Sequence, residues 1–329
     1  MTGAVPDDAP ALGLLAACQD GFPLVARPFD VIGRLHGLDE DEVLAELGRL
    51  RAAGVLSRIG AVWDRGAGGA GGLCALRVPP RDLARVAAIV NAEPAVNHNY
   101  QREHAWNLWY VLSAPDEAVV QATLRRIDAA TGLASIHLPM VRPYRLDLAF
   151  DPRDPLAPRP LRGAGLARPL PPADRPLAAL AEAGLALAPR PFDLWAAALG
   201  CTSETVLATL QRWRHTGSMR RFGAVVRHHE LGYRANAMTV IEAPPARVDG
   251  IGAALAVQPG VTLAYRRRPA RDWPYNLYFM VHGRERAAVR ALVAAALAGA
   301  GARDLPHETL FSAHRFKQAG TRYFTETAA

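Results

Sequence analysis

One pattern occurs twice in this chain of 329 residues, and it limits the possible folds more than any other feature. PFDVIGRLHGLDEDEVLAELGRLRAAGVLSRIGAVWD begins at Pro28, and PFDLWAAALGCTSETVLATLQRWRHTGSMRRFGAVVRH begins at Pro191. Arg58, Gly60 and Val62 answer Arg221, Gly223 and Val225, so the offset is a constant 163 residues. Tyr100 and the WNLW starting at Trp106 are answered by Tyr265 and the YNLY starting at Tyr275, where small insertions stretch the offset. A repeat of this length predicts two copies of one domain pair, and hence a dimer built into a single chain. Because the copies have diverged, a site that a homodimer would form twice can here be asymmetric.

Within the first copy, periodicity predicts helices over residues 11–18, 28–36 and 39–53, with Asp39 as N-cap and Gly54 closing the last. A β-rich stretch follows, which is the element order of a winged helix-turn-helix. The run GAGGAGG at 66–72 lacks the spacing of a phosphate-binding loop and reads as a wing tip or hairpin loop. From residue 73 the pattern is βαββαβ, a ferredoxin-like order with two helices on one sheet face and the other face free to pack or bind. The second copy repeats all of this. The expected fold class is α+β, two tandem copies of a winged helix-turn-helix plus a ferredoxin-like domain. Domains are expected at 11–65, 66–150, 177–230 and 231–329, with residues 151–176, dense in proline, as an extended linker and residues 1–10 as a mobile tail.

The formal charge of +7 favours an anionic partner, either nucleic acid or a small polyacid. Cys18, Cys74 and Cys201 are far apart and form no ligand spacing, which points to a reducing compartment and away from disulfides and cysteine-bound metal. No apolar run is long enough to span a bilayer, so a cytoplasmic protein is expected.

Two stretches carry chemistry. In NHNYQREHAWNLWY (97–110), His98, Tyr100, Arg102 and His104 share one face if the strand stays regular. In MRRFGAVVRHHELGYRANAM (219–238), Arg221, Arg227 and His229 alternate with Arg220 and His228, and AYRRRPARDWPYNL adds Tyr265, Arg266, Arg267, Arg268, Arg271 and Trp273. Guanidinium binds carboxylate bidentately and aromatic rings stack on π systems, so such a set suits several carboxylates on a flat macrocycle. The plain alternative for each stretch is a solvated strand or hairpin.

At these motifs the sequence resembles the siroheme decarboxylases, relatives of the Lrp/AsnC regulators that act in haem d1 formation and in the alternative route from siroheme to haem. SRIGAVWD and NHNYQREHAWNLW look like the D/G-type subunit, while RRFGAVVRHHELGYRANAM, DWPYNLYFM and FKQAGTRYF look like the L/H-type subunit. The chain thus resembles a fused form of two subunits. The resemblance implies loss of carbon dioxide from two acetate side chains of siroheme to give didecarboxysiroheme, with no redox step, no protein-held metal and no cofactor beyond the iron tetrapyrrole substrate. It implies His98, His104 and His228 as catalytic groups, histidine being the natural proton donor near neutrality, although a histidine could instead ligate the siroheme iron. Tyr100, Arg102, Arg220, Arg221, Arg227, His229, Tyr265, Arg266, Arg267, Arg268 and Trp273 are expected to hold the substrate. One of the two pseudo-equivalent pockets should be the better one, or a single composite site should serve both steps. Self-association, or further decarboxylase subunits, would be compatible.

Two other readings compete. A DNA-binding regulator would need bases at the start of its recognition helix, but the first copy begins DEDEVLAEL and the second SETVLATLQ, with no base until Arg212, so no DNA is expected. A siroheme carrier or sensor without turnover shares every ligand-binding feature.

Overall fold

The computed structural model describes residues 9–19, 21–146, 167–321 and 323–324, with the side chains of residues 9, 10, 65, 228 and 229 outside that description. Helices α1 (Ala9–Gln19), α2 (Pro28–His36) and α3 (Glu40–Ala52) lead into β1 (Leu56–Trp63). Asp39 starts α3 with a capping box: its carboxylate accepts from Glu42 N at 2.8 Å, and Glu42 accepts from Asp39 N at 2.9 Å. Strand β2 (Ala70–Leu76), helix α4 (Leu83–Ala92), strands β3 (Val96–Arg102) and β4 (Leu108–Ala114), helix α5 (Glu117–Thr131), and the short β5 (Ile136–Leu138) and β6 (Met140–Leu146) complete the first copy. The second repeats it as α6 (Arg175–Ala183), α7 (Pro191–Leu199), α8 (Ser203–His215), β7 (Met219–Val226), β8 (Ala235–Ile241), α9 (Val248–Ala256), β9 (Val261–Arg267), β10 (Leu277–Gly283), α10 (Arg286–Gly299) and β11 (His307–Gln318).

The copies are joined about a pseudo-two-fold axis. Strands β1 and β7 pair antiparallel with Gly60 opposite Gly223, Ile59 opposite Ala224 and Ala61 opposite Phe222, so each residue faces the counterpart of its mirror position. A Cβ at Gly60 would press on the carbonyl oxygen of Ala181 in α6, and one at Gly223 on the carbonyls of Cys18 and Gln19 in α1. The first helix of each copy therefore crosses the strand of the other, and the repeated glycine is what lets it approach. Arg58 and Arg221 hold the same motif from the side, donating to Ala61 O at 3.0 Å and Ala224 O at 2.8 Å.

The ferredoxin-like halves also exchange strands. Nine strands run in the order β5-β2-β4-β3-β11-β8-β10-β9-β6, and its two end strands are separated in sequence only by Pro139. The sheet faces expected to be free lie against each other, around Ala75, Trp109, Leu138, Met238, Tyr278 and Leu310 from both copies, while α4, α5, α9 and α10 cover separate outer cores. Half of β11 pairs with its own β8, and the rest pairs with β3 of the other copy. In the same way β6 pairs with β9.

Several local expectations change. The glycine-rich run is not a loop throughout, since Arg65–Ala67 is a 3₁₀ turn and Ala70 to Gly72 already pair with β4. The stretch expected to be an extended linker contains a 3₁₀ turn at Pro172–Asp174 and the start of α6, and Leu170 N donates to Ala67 O at 2.7 Å. Its residues 151–166 lie outside the described set, as do residues 1–8 of the tail. Among the described residues, no helix is long and apolar enough to cross a membrane.

Candidate active site

The strand exchange lays β11 along β3, with Gln318 opposite His98, Lys317 opposite Asn99 and Arg315 opposite Tyr100. The turn after α3 and the segment after β7 close over this seam. Together they bound a cleft of about 470 Å³ lined by Ala53, Gly54, Arg227, Glu230, Arg315, Phe316, Lys317 and Gln318. Both copies thus contribute to one cationic hollow. Arg227 Nη1 donates to Gly54 O at 3.1 Å, and Arg315 donates to Glu230 Oε1 at 2.6 Å and to Gln318 Oε1 at 3.0 Å. Lys317 is turned to the end of α4, donating to Asn91 O at 2.8 Å, so the guanidiniums of Arg227 and Arg315 are the cleft's principal cations.

Beside the cleft, His98 and Tyr100 stack with ring centroids 6.1 Å apart. A relay fixes the imidazole: Asn97 Nδ2 donates to Ser113 Oγ at 2.7 Å, which leaves Asn97 Oδ1 to accept from His98 Nδ1 at 2.6 Å. The proton therefore sits on Nδ1 and the lone pair on Nε2. Burial pushes the His98 pKa down to about 4, so the ring is neutral at neutral pH.

The regular strand assumed for 98–104 stops at Arg102, and His104 falls in the turn beyond it. Six residues along an extended chain can place it up to ~20 Å from His98. There, His104 Nδ1 accepts from Trp106 N at 2.9 Å and its Nε2 lies 2.8 Å from Glu308 Oε2. Tyr275 donates to the other Glu308 oxygen at 2.8 Å, and the imidazole sits edge-on to Trp273. His104 is part of a network that ties the copies together at the end of the sandwich remote from the cleft.

Several residues expected at the ligand have other partners. Arg221 is buried against Gln19 O and Ala224 O. Arg220 faces Asp64 at 3.3 Å. Arg102 and Arg267 are buried staples between the copies, donating to Leu310 O at 2.9 Å and Leu138 O at 2.7 Å, and each lies over the tyrosine two residues earlier. Tyr265 and Trp273 belong to the core between the sheets, where Tyr265 stacks on Tyr278 and Trp273 donates to its hydroxyl at 2.7 Å. Arg266 lies 3.6 Å from Asp249, and Arg268 is exposed. The physical reason is that β9 lies four places from β3 in the sheet order, paired with β6, so the second arginine cluster cannot face the same cleft. Strand β7 ends at Val226, which puts the backbone of His228 and His229 in a 3₁₀ turn rather than on alternating strand faces; their side chains lie outside the described set. Arg227 lines the cleft, and His98 and Tyr100 lie on the strand beside it, opposite Gln318 and Arg315. Arg315, Gln318 and Glu230 were not singled out, although Gln318 lies within FKQAGTRYF, Glu230 within RRFGAVVRHHELGYRANAM, and Arg315 just before the former.

A cleft of arginines assembled between two domains, reached from helix-turn-helix and sheet elements alike, belongs to a small-molecule binding protein built on a tandem regulator-like scaffold. Family comparison agrees: the AsnC-like ligand binding domain matches residues 67–145 and 230–317, and the siroheme decarboxylase NirDL-like HTH domain matches 13–56 and 174–220. The chain belongs to the siroheme decarboxylase NirDL family. It is 43% identical over 315 residues to the siroheme decarboxylase NirDL subunit of Paracoccus denitrificans, covering 94% of this chain and 95% of that one. The siroheme decarboxylase NirD subunit of Stutzerimonas stutzeri is 47% identical over 148 residues, 97% of that subunit and 45% of this chain. The crystal structure of siroheme decarboxylase NirDL in co-complex with an iron-uroporphyrin III analogue superposes with a TM-score of 0.69 at 28% identity, covering 96% of this chain and 94% of that one.

Proposed function

We propose that this chain is a siroheme decarboxylase that converts two acetate side chains of siroheme to methyl groups, giving didecarboxysiroheme for haem d1 or alternative haem formation. The observation that supports the reading is the cleft at the β3–β11 seam, which Arg227 and Arg315 line and which the strand of the His98–Tyr100 stack flanks, with Arg315 opposite Tyr100. Each step takes R–CH₂–COO⁻ and a proton to R–CH₃ and carbon dioxide. The guanidiniums are suited to anchor carboxylates bidentately. Tyr100 offers an aromatic face. A neutral His98 with its lone pair on Nε2 suits the role of iron ligand or hydrogen-bond acceptor better than that of proton donor, since an imidazole with a pKa near 4 carries no acidic proton to give at neutral pH. This leaves the donor role to His228, at the turn beside Arg227. The fused chain is expected to act in the cytoplasm without DNA; the first turn of α3 exposes Asp41 and Glu42, which oppose phosphate.

The test is anaerobic incubation of the purified chain with siroheme, followed by mass spectrometry of the extracted tetrapyrrole. Loss of two carbon dioxide units is expected. Siroheme recovered unchanged but bound would make the chain a carrier, and an absence of binding would overturn the assignment of the cleft.

A further inference from the structure

Among the described residues lining the cleft, Glu230 is the one carboxylate. Its Oε1 takes the Arg315 Nη2 donor at 2.6 Å, and the two side chains keep 34% and 27% of their surface exposed, so the pair is neither sealed in the core nor fully solvated. The remaining Arg315 end is engaged by Gln318, a neutral partner. Arg315 also lies opposite Tyr100, the aromatic face that the reading above assigns to the macrocycle. A guanidinium fork that already holds one carboxylate can accept a ligand carboxylate only by exchange. Exchange between two similar ion pairs is nearly balanced, whereas a vacant arginine in the same place would bind an anion with the full energy of a new pair.

We propose that Glu230 is an exchangeable counter-ion for Arg315 that sets the affinity of the cleft: it yields the guanidinium to a substrate carboxylate and takes it back when the ligand leaves, so that a polyanionic tetrapyrrole is held weakly enough to be released. The inference rests on the cleft being the tetrapyrrole site. Glu230 thus acts through Arg315, as a residue that tunes specificity and release rather than one that takes part in bond breaking.

Equilibrium titration with iron-uroporphyrin III, an iron porphyrin that carries carboxylates on every ring, tests this in the full chain. Glu230→Gln is expected to bind it roughly three- to ten-fold more tightly than the unaltered chain. Glu230→Ala, which removes the same charge without an amide, should do likewise, and with siroheme both variants should lower KM without raising kcat. Arg315→Ala should weaken binding, and adding Glu230→Gln to it should restore almost nothing. Unchanged or weaker binding in both Glu230 variants would overturn the proposal, as would tightening that survives undiminished in the Arg315→Ala background, because that would be a long-range field effect and not exchange. If the unaltered chain binds no iron-uroporphyrin III at all, the assignment of the cleft falls, and this inference with it.

Discussion

His98 is a residue whose chemistry depends on neighbours the strand brings to it. Asn97 and Ser113 fix its tautomer, and burial holds its pKa near 4 against about 6.5 for a free imidazole. Above pH 6.5 both folded and unfolded chains carry the neutral ring, so it has no effect on the pH dependence of stability. As pH falls from about 6.5 to about 4 the unfolded chain takes up a proton that the folded chain refuses, and stability drops by up to ~1.4 kcal/mol per pH unit for this one site. Urea midpoints measured across that range should therefore fall more steeply for the unaltered chain than for His98→Gln; parallel curves would refute the buried neutral ring. With siroheme bound, His98→Ala should shift the Soret band if Nε2 reaches the iron, while His104→Ala, remote from the cleft, should leave the band in place. Arg227 answers a simpler question. Among the described residues its guanidinium hydrogen-bonds to Gly54 O, so Arg227→Ala should leave the fold intact and raise KM for siroheme about ten-fold or more, as expected for loss of one charge-assisted pair.

At the scale of elements, the repeated RxGAV motif is a packing device. Its arginine, buried in the second copy and half-buried in the first, folds back on a carbonyl three residues on, and its glycine takes the weight of a helix from the other copy. Gly60→Ala and Gly223→Ala each push a methyl into a backbone carbonyl that cannot swing away, and each should lower stability by about 2–3 kcal/mol in a calorimetric or denaturant measurement. The symmetry makes the test sharper, because the two substitutions should have similar effects even though only the segment after β7 borders the cleft. The YxR pairs at Tyr100–Arg102 and Tyr265–Arg267 show the same logic. Read as sequence they look like ligand-binding arginines; in the sheet they are staples, because each donates to a backbone carbonyl of the other copy. Alternation along a strand says which residues share a face, but it cannot say whether that face meets a ligand or another sheet.

At the scale of the whole molecule, neither copy is complete alone. Helix α1 lies on β7 and α6 on β1, while β11 finishes the edge of β3 and β6 that of β9. Fragments 1–150 and 167–329, produced together, should form a stable one-to-one complex that retains decarboxylation, whereas either one produced alone should be unfolded or aggregated by circular dichroism and size-exclusion chromatography. A folded, monomeric fragment would contradict the strand exchange. The unpaired edges and the uncovered inner sheet faces are what make separation unfavourable.

The sequence by itself determined the duplication, the helix-turn-helix and ferredoxin-like order of elements and the capping of α3, and it singled out the strand of His98 and Tyr100 and the segment of Arg227, which the fold places at the β3–β11 seam. These follow from local periodicity, from turn chemistry and from motifs that keep their spacing. Only the tertiary structure decided which charged groups share a cleft. Arg315 reaches Tyr100 because a strand from the second copy crosses to the first, a contact between residues more than two hundred positions apart, while Arg267 and His104, closer to hand in the motifs, are drawn into the seams that hold the copies together. Strand exchange is a choice of partner, and partner choice is fixed by the burial of whole sheet faces rather than by any short stretch of residues.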